Sequence, residues 1–288
     1  MSAHQVHLDP SARADDPTRD KERDDGTLQI APDVAYRRLA IVNVVFFGRP
    51  GAEDRNWVLV DAGVFGTKAL IKSAASERFG PNSRPAAIML THGHFDHVGA
   101  LEDLAREWDV PVYAHALEHP YLNGSEAYPP PDPTVGGGLM ALSSSMFPRG
   151  PIDVSEHLHA LPDDGTMPHM AGWRWLATPG HSPGHVSFWR EEDRTLIVGD
   201  AFVTTRQESV YAAITQDPEM HGPPMYYTPD WTSARESVRR LDSLRPETVV
   251  TGHGRAMRGS HMRSALSRLA AEFDSIAVPE HGRYVETR

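Results

Sequence analysis

Residues 86–97, AAIMLTHGHFDH, set an apolar run directly against three histidines and an aspartate. The run AAIML (86–90) is the length of a short buried strand, so the four metal-ligand side chains fall in the loop at its C-terminal end. His92 and His94 are two apart. On extended backbone alternate residues point the same way, which lets both rings reach one point. Asp96 and His97 follow as the loop turns, and their place is beside that point rather than at it. One short loop cannot complete two ion sites, so further ligands must come from elsewhere in the chain.

Three other stretches supply them in matching positions. TPGHSPGH (178–185) follows a strand pattern and carries His181 in a glycine-proline loop. LIVGDAF ends a strand at Asp200, and VVTGHG ends another at His253. Each sits just past an apolar strand, the edge at which open α/β sheets present their ligands. The chain has no cysteine, which removes disulfides, thiolate ligands and a cysteine nucleophile. Imidazole and carboxylate remain, a donor set that suits zinc, iron and manganese.

The rest of the chain reads as alternating strands and helices. YRRLAIVNVVFFG (36–48) reads as a strand with NWVLVDAG (56–63) as its hairpin partner. Residues 67–79 follow helical spacing on Ile71, Ala75 and Phe79, ended by Gly80-Pro81. Leu101, Leu104, Ala105 and Trp108 mark a second amphipathic helix, followed by the strand 110–114. Strands resume at 173–177, 186–190 and 195–199. Ser233 and Glu236 form a capping-box pattern for a helix through Leu244. A strand at 248–251 and a final amphipathic helix over 260–276 complete a layered α/β pattern. Residues 1–28 are charged and poor in large apolar groups, which predicts a disordered tail. The remaining 29–288 read as one domain with an insertion at about 115–160 that is rich in Pro, Gly and Ser. A loop of that length inside a compact domain is often functional.

The formal net charge is −11, and no basic run is long enough to track a phosphate backbone, which argues against a nucleic-acid partner. No apolar run approaches the roughly 20 residues that cross a bilayer, and the N-terminus lacks the apolar segment of a signal peptide. The expectation is a soluble cytoplasmic protein that meets a small-molecule substrate and no membrane, with a homodimer allowed.

The stretches THGHFDH (91–97), PGH (179–181), GD (199–200) and GHG (252–254), in that order and spacing, resemble the metallo-β-lactamase superfamily over about residues 37–275. The resemblance implies an αβ/βα sandwich of two mixed β-sheets flanked by helices. It implies two divalent metal ions, zinc first and manganese or iron as alternatives. His92, His94 and His181 would form one site, Asp96, His97 and His253 the other, and Asp200 would bridge. Asp61, in VDAG, would stand behind a ligand histidine and orient its ring, or serve only as a turn residue before Gly63. His185 is read as a supporting residue rather than a ligand, and Thr91 as a strand-end residue.

A water deprotonated between two such ions attacks a carbonyl carbon, with Asp96 assisting proton transfer and Asp200 fixing the metal spacing. The resemblance is to the glyoxalase II and lactonase branch, which implies a hydrolase of an ester, lactone or thioester. Lactonases of this type place a tyrosine three residues after the bridging aspartate, where this chain has Val203; Tyr226 or Tyr227 would have to substitute. Apolar residues of the insertion and its neighbourhood, Tyr128, Met146 and Phe147 with Tyr226 and Tyr227, are candidates for the wall of a substrate pocket. Two rivals stay open: a mononuclear iron dioxygenase resembling the persulfide dioxygenases, and a non-catalytic binding module on the same fold.

Overall fold

The structure is a computed structural model and describes residues 5–14, 25–136, 139–206 and 218–285. Its contacts divide the chain into two compact units, each assembled from separated stretches. One comprises 15–128 and 149–175, the other 1–14, 129–148 and 176–288. Two of the boundaries between them fall within the stretch 115–160.

In the first unit seven strands lie in chain order across one mixed sheet: Leu28–Ala31, Val34–Leu39, Val42–Phe47, Val58–Val60, Ala87–Met89, Val112–Ala114 and Leu158–Ala160. The early strands are antiparallel, and from Val58–Val60 onward each neighbour is parallel. Parallel pairing needs crossovers, supplied here by the helices Lys68–Phe79 and Leu101–Trp108. The first helix buries Ile71, Ala74, Ala75 and Phe79 on one stripe and stops at Gly80, whose φ of 119° a side chain would resist. The second buries Leu101, Leu104, Ala105 and Trp108, with Glu102 and Asp103 in the first turn, where they favour the helix dipole. Trp57 anchors this core, stacked on Phe79 at 4.5 Å and edge-on to Trp108 at 5.8 Å. Its indole N–H donates to Ser83 Oγ at 2.8 Å, so burial leaves no orphan donor.

A five-stranded sheet has the order Met257–Arg258, Thr248–Thr251, Thr195–Gly199, Val186–Arg190 and Trp173–Ala177; the first four strands belong to the second unit, and the boundary at Trp175 falls within the fifth. Thr195–Gly199 and Thr248–Thr251 are parallel, while Val186–Arg190 runs antiparallel to Thr195–Gly199. The helices Trp231–Ser243 and Gly259–Ala271 cover it through Val238, Leu241, Met262, Leu266 and Leu269, all fully buried.

Four expectations from the sequence need correction. The stretch 36–48 is two strands, because the chain reverses at Ala40 with a φ of 59°; alanine carries no turn signal, so the break was invisible. The helix expected to start at Ser233 starts earlier, since the Asp230 side chain accepts from Ser233 N at 2.9 Å and is the cap. The final helix is interrupted at Glu272 before a short turn over Phe273–Ile276. The tail is not uniformly disordered. Residues 1–4 and 15–24 lie outside the described residues, but Val6–His7 pairs with Glu219–Met220, and Val6, Leu8 and Ala12 are buried in the core of the second unit. Their alternation with polar neighbours is too short to register as a strand pattern.

Candidate metal centre

In the seven-stranded unit three adjacent parallel strands end at one edge. After Val58–Val60 comes Asp61, after Ala87–Met89 comes the loop Thr91–His97, and after Val112–Ala114 comes the turn Ala116–Glu118. His92, His94, Asp96 and His97 are all buried. Ligand atoms of His92 with His94, of His92 with His97, and of Asp96 with His97 lie within 4.8 Å. From the sequence, His92 and His94 are expected to share one point with Asp96 and His97 beside it; in this unit His92 lies near both His94 and His97, and His97 near Asp96.

Asp61 organises them. Its Oδ1 accepts from Thr91 N at 2.9 Å, and its Oδ2 accepts from Thr91 Oγ1 at 2.8 Å and from His97 Nδ1 at 2.8 Å. Thr91 Oγ1 also lies 3.1 Å from His92 Nδ1. The threonine has one hydroxyl proton, which goes to Asp61, so its oxygen can only accept from His92. The network therefore assigns Nδ1–H to both His92 and His97, so that Nε2 is the nitrogen of each that could hold a metal. Asp61 does more than form a turn, although its φ of 60° is that of a left-handed turn residue. Thr91, read from the sequence as a strand-end residue, is the relay between Asp61 and His92. A threonine directly preceding the histidine motif, at the end of the apolar run 86–90, is the available signal.

The five-stranded unit gathers its own set at a comparable edge. Asp200 and His253 follow the parallel strands Thr195–Gly199 and Thr248–Thr251, and the loop 178–185 precedes the antiparallel strand Val186–Arg190. Asp200 Oδ2 lies 3.0 Å from His253 Nε2 and 3.5 Å from His181 Nε2. His181 Nδ1 is 3.2 Å from Thr228 Oγ1, whose proton goes to Pro224 O at 2.8 Å. By the same logic Nδ1 carries the proton and Nε2 faces the carboxylate.

His253 is set by its backbone. Its carbonyl accepts from Thr251 Oγ1 at 2.6 Å and from Thr204 N at 3.1 Å. Gly254 follows with a φ of 95°, where a Cβ would stand 2.4 Å from Thr204 Oγ1.

His185 is engaged at both nitrogens. Asp200 N donates to its Nε2 at 2.8 Å, and its Nδ1 lies 2.8 Å from Thr178 Oγ1. It holds the backbone of Asp200, which is a supporting geometry and not a ligating one. Gly180 allows the loop to pass under the helix Trp231–Ser243, at a distance where a Cβ would meet Ala234 N at 2.4 Å.

The residues expected to line a substrate pocket divide. Tyr128 is 2% exposed, and its hydroxyl is engaged by Glu118 and by Gly93 N; it belongs to the support of the histidine loop instead. Burial first, and then the neighbouring Glu118 charge, hold its phenol well above the ordinary tyrosine range. Glu118 itself escaped the sequence reading, though it lies in the loop after an apolar strand, where the other functional residues were sought. Tyr226 and Tyr227 are buried in a 3₁₀ turn with rings 5.3 Å apart. Phe147 meets Tyr226 edge-on at 6.3 Å, and Met146 is 80% exposed. The side chain of Met140, in the same insertion, lies outside the described residues.

The donors in both units are imidazoles and carboxylates with no thiolate, and three of the imidazoles have Nδ1 held by an oxygen. That is the chemistry of a site for zinc, iron or manganese. Mixed sheets flanked by helices, with such ligands at the strand ends, define a metal-binding α/β protein. Residues 37–253 match the metallo-beta-lactamase superfamily, and the chain belongs to that family. It is 48% identical over 236 residues to the probable metallo-hydrolase YflN of Bacillus subtilis (strain 168), covering 82% of this chain and 89% of that one. Among solved structures it resembles TTHA1623 in a di-iron-bound form, with 27% identity, a TM-score of 0.51, and coverage of 79% of this chain and 92% of that one. A beta-lactamase domain protein from Burkholderia ambifaria has a TM-score of 0.60 at 21% identity, covering 91% and 80%, a likeness of fold. Among the described residues no helix is long and apolar enough to cross a membrane.

Proposed function

We propose that this chain is a dinuclear metal-dependent hydrolase of a carboxylic ester, lactone or thioester in a small, partly apolar substrate. The observation that carries the reading is Asp200, one carboxylate oxygen set within 3.5 Å of the Nε2 atoms of two histidines, an arrangement suited to a shared ligand. In this reading His92, His94 and His181 hold one ion, Asp96, His97 and His253 the other, and Asp200 bridges. Family membership supports the pairing of the two sets, and the name of the YflN relative supports hydrolysis. The metals are zinc, with iron or manganese as alternatives; the di-iron form of TTHA1623 makes iron a serious one.

When bound, ions of this kind acidify a water and polarise a carbonyl oxygen. The chain's own part is positional. Asp61 and Thr91 fix the tautomers of His92 and His97, Thr228 fixes that of His181, and His185 holds the backbone of Asp200. Asp96 is the carboxylate available to take a proton. No serine or cysteine nucleophile is needed.

The test is proton release at constant pH from zinc-, manganese- or iron-loaded protein. The panel holds an acyl-homoserine lactone, an aryl ester, a glutathione thioester, a β-lactam and a phosphodiester. Turnover of one carbonyl substrate that His92→Ala abolishes supports the reading. Metal analysis giving one iron, with oxygen consumption in place of hydrolysis, would replace it with the dioxygenase. Full metal loading without turnover of any substrate would favour a binding module.

A further inference from the structure

Gly93 stands between two histidines of the metal loop, and its surroundings are unlike those of an ordinary loop glycine. Its N–H donates to Glu118 Oε2 at 2.9 Å and to Tyr128 Oη at 3.0 Å. The Tyr128 hydroxyl in turn donates to the same Glu118 oxygen. Glu118 is fully buried. A buried carboxylate is costly unless its hydrogen-bond capacity is met, and here a backbone amide and a phenol meet it together.

The ring of Tyr128 also packs edge-on against the His94 imidazole at 4.4 Å. Tyr128 is itself held firmly. Tyr121 stacks on it at 3.8 Å, its N–H donates to Arg149 O at 3.0 Å, and its carbonyl accepts from Arg149 Nη1 at 3.1 Å. Glycine is required by this close approach, since a Cβ on residue 93 would stand 2.6 Å from Tyr128 Oη and 3.1 Å from Leu122 Cδ2.

We infer that Glu118 and Tyr128 are positioning residues for the metal centre: they pin the His92–Gly93–His94 backbone and the His94 ring, so that the insertion sets how tightly the ion at these histidines is held. The inference rests on the metal-holding reading of His92 and His94 given above. Asp61 and Thr91 fix the loop from the sheet side through ring nitrogens. Glu118 and Tyr128 fix it through the intervening peptide. Supports of this kind around a ligand histidine characteristically change metal affinity by about 10- to 100-fold.

The experiment uses the full chain loaded with zinc and follows release of the ion to a chromogenic chelator, beside the melting temperature of the metal-free protein. Tyr128→Phe removes one oxygen and is expected to release an ion about tenfold faster. Gly93→Ala is expected to release faster still, because the new methyl group must displace the phenol or the loop. Combining Gly93→Ala with Tyr128→Phe removes the colliding oxygen, so the double variant is expected to fall back to the rate of Tyr128→Phe alone, the non-additivity expected of residues in contact. Glu118→Gln keeps the shape, loses the charge and is expected to follow Tyr128→Phe; it carries the test if Tyr128→Phe does not fold.

Release at the wild-type rate in Tyr128→Phe and Glu118→Gln, with only the metal-free melting temperature lowered, would overturn the inference and leave the pair a packing feature. Additive effects of Gly93→Ala and Tyr128→Phe on release would overturn it too. A wild-type chain that takes up no zinc, iron or manganese would instead overturn the proposed function, and this inference with it.

Discussion

Asp61→Asn is the substitution whose outcome the structure specifies most closely. Residue 61 has a φ of 60°, a conformation that asparagine tolerates better than most residues, so backbone strain does not confound the change. The amide oxygen can take the place of Oδ1 and keep the bond from Thr91 N. The amide nitrogen then replaces Oδ2, which now accepts from both Thr91 Oγ1 and His97 Nδ1. Two donors would face a third.

With the amide in that orientation, the conflict resolves if Thr91 turns its proton toward His92 and His97 accepts at Nδ1. Both imidazoles would then carry their proton on Nε2, the ligand nitrogen. Exchanging bonds to a charged acceptor for bonds to a neutral amide costs about 1–3 kcal/mol in the metal-free protein, taking each charged bond as about 1 kcal/mol stronger. The cost to metal binding is larger, at least about 100-fold, since two ligands are disarmed where one support ordinarily accounts for 10- to 100-fold. Competition with a chelator of known affinity reads the second quantity and urea unfolding of the metal-free chain the first. Nitrogen NMR of the imidazoles reads the tautomers. An affinity within threefold of wild type, with Nδ1–H retained on His92 and His97, would refute the relay.

Three further outcomes follow from particular contacts. Gly180→Ala, which drives a Cβ to within 2.4 Å of Ala234 N at a φ of 133°, is expected to destabilise by about 2–4 kcal/mol, and unchanged thermal unfolding would show that the loop has room. His185→Ala leaves the buried amide of Asp200 without the acceptor at 2.8 Å and is expected to cost about 1–3 kcal/mol in urea unfolding; a smaller loss would mean that water takes the place of the ring. Asp54 is held down to about 2, from 3.8, by the hydrogen bond from the Arg84 side chain and then by that from the Arg84 backbone. A depressed carboxylate stabilises above its unfolded pKa and loses that contribution as pH falls through its folded one. The stability gap between wild type and Asp54→Asn should therefore be constant at neutral pH and narrow as pH falls from about 4 towards 2, remaining below about 1 kcal/mol because the pair is partly exposed. A gap that does not change with pH would contradict the assignment.

The candidate ligands were most legible where one lies at the end of an apolar run, because burial of that run fixes where the next residue emerges. His92, His94, Asp200 and His253 all follow this rule. The helices Lys68–Phe79 and Leu101–Trp108 were legible for the related reason that one stripe of each is apolar. What escaped had no such signature. The reversal at Ala40 uses a residue without turn chemistry, and the strand Leu158–Ala160 is largely exposed, so no alternation marks it. The segment Val6–His7 owes its order to partners at Glu219 and Met220, and no local pattern encodes a partner so distant. Glu118 and Tyr128 were hidden differently. Their roles depend on a glycine amide across the fold, and a sequence shows side chains more readily than it shows which backbone groups need an acceptor. Tyr128 was consequently expected to face a substrate when its hydroxyl faces inward.

The order in which the two units draw on the chain constrains how the protein can be made. A chain leaving the ribosome has every residue of the seven-stranded unit once Trp175 has emerged, and that unit, with its own core, can fold as synthesis continues. The other unit begins with residues 1–14 and ends with 176–288, so its first stretch must wait. Val6, Leu8 and Ala12 find their core only after the strands and helices that build it have been translated. Until those residues are made, Val6, Leu8 and Ala12 lack the core that buries them. A chain that stops after Trp175 would hold every residue of the seven-stranded unit and none of the later residues against which Val6, Leu8 and Ala12 pack.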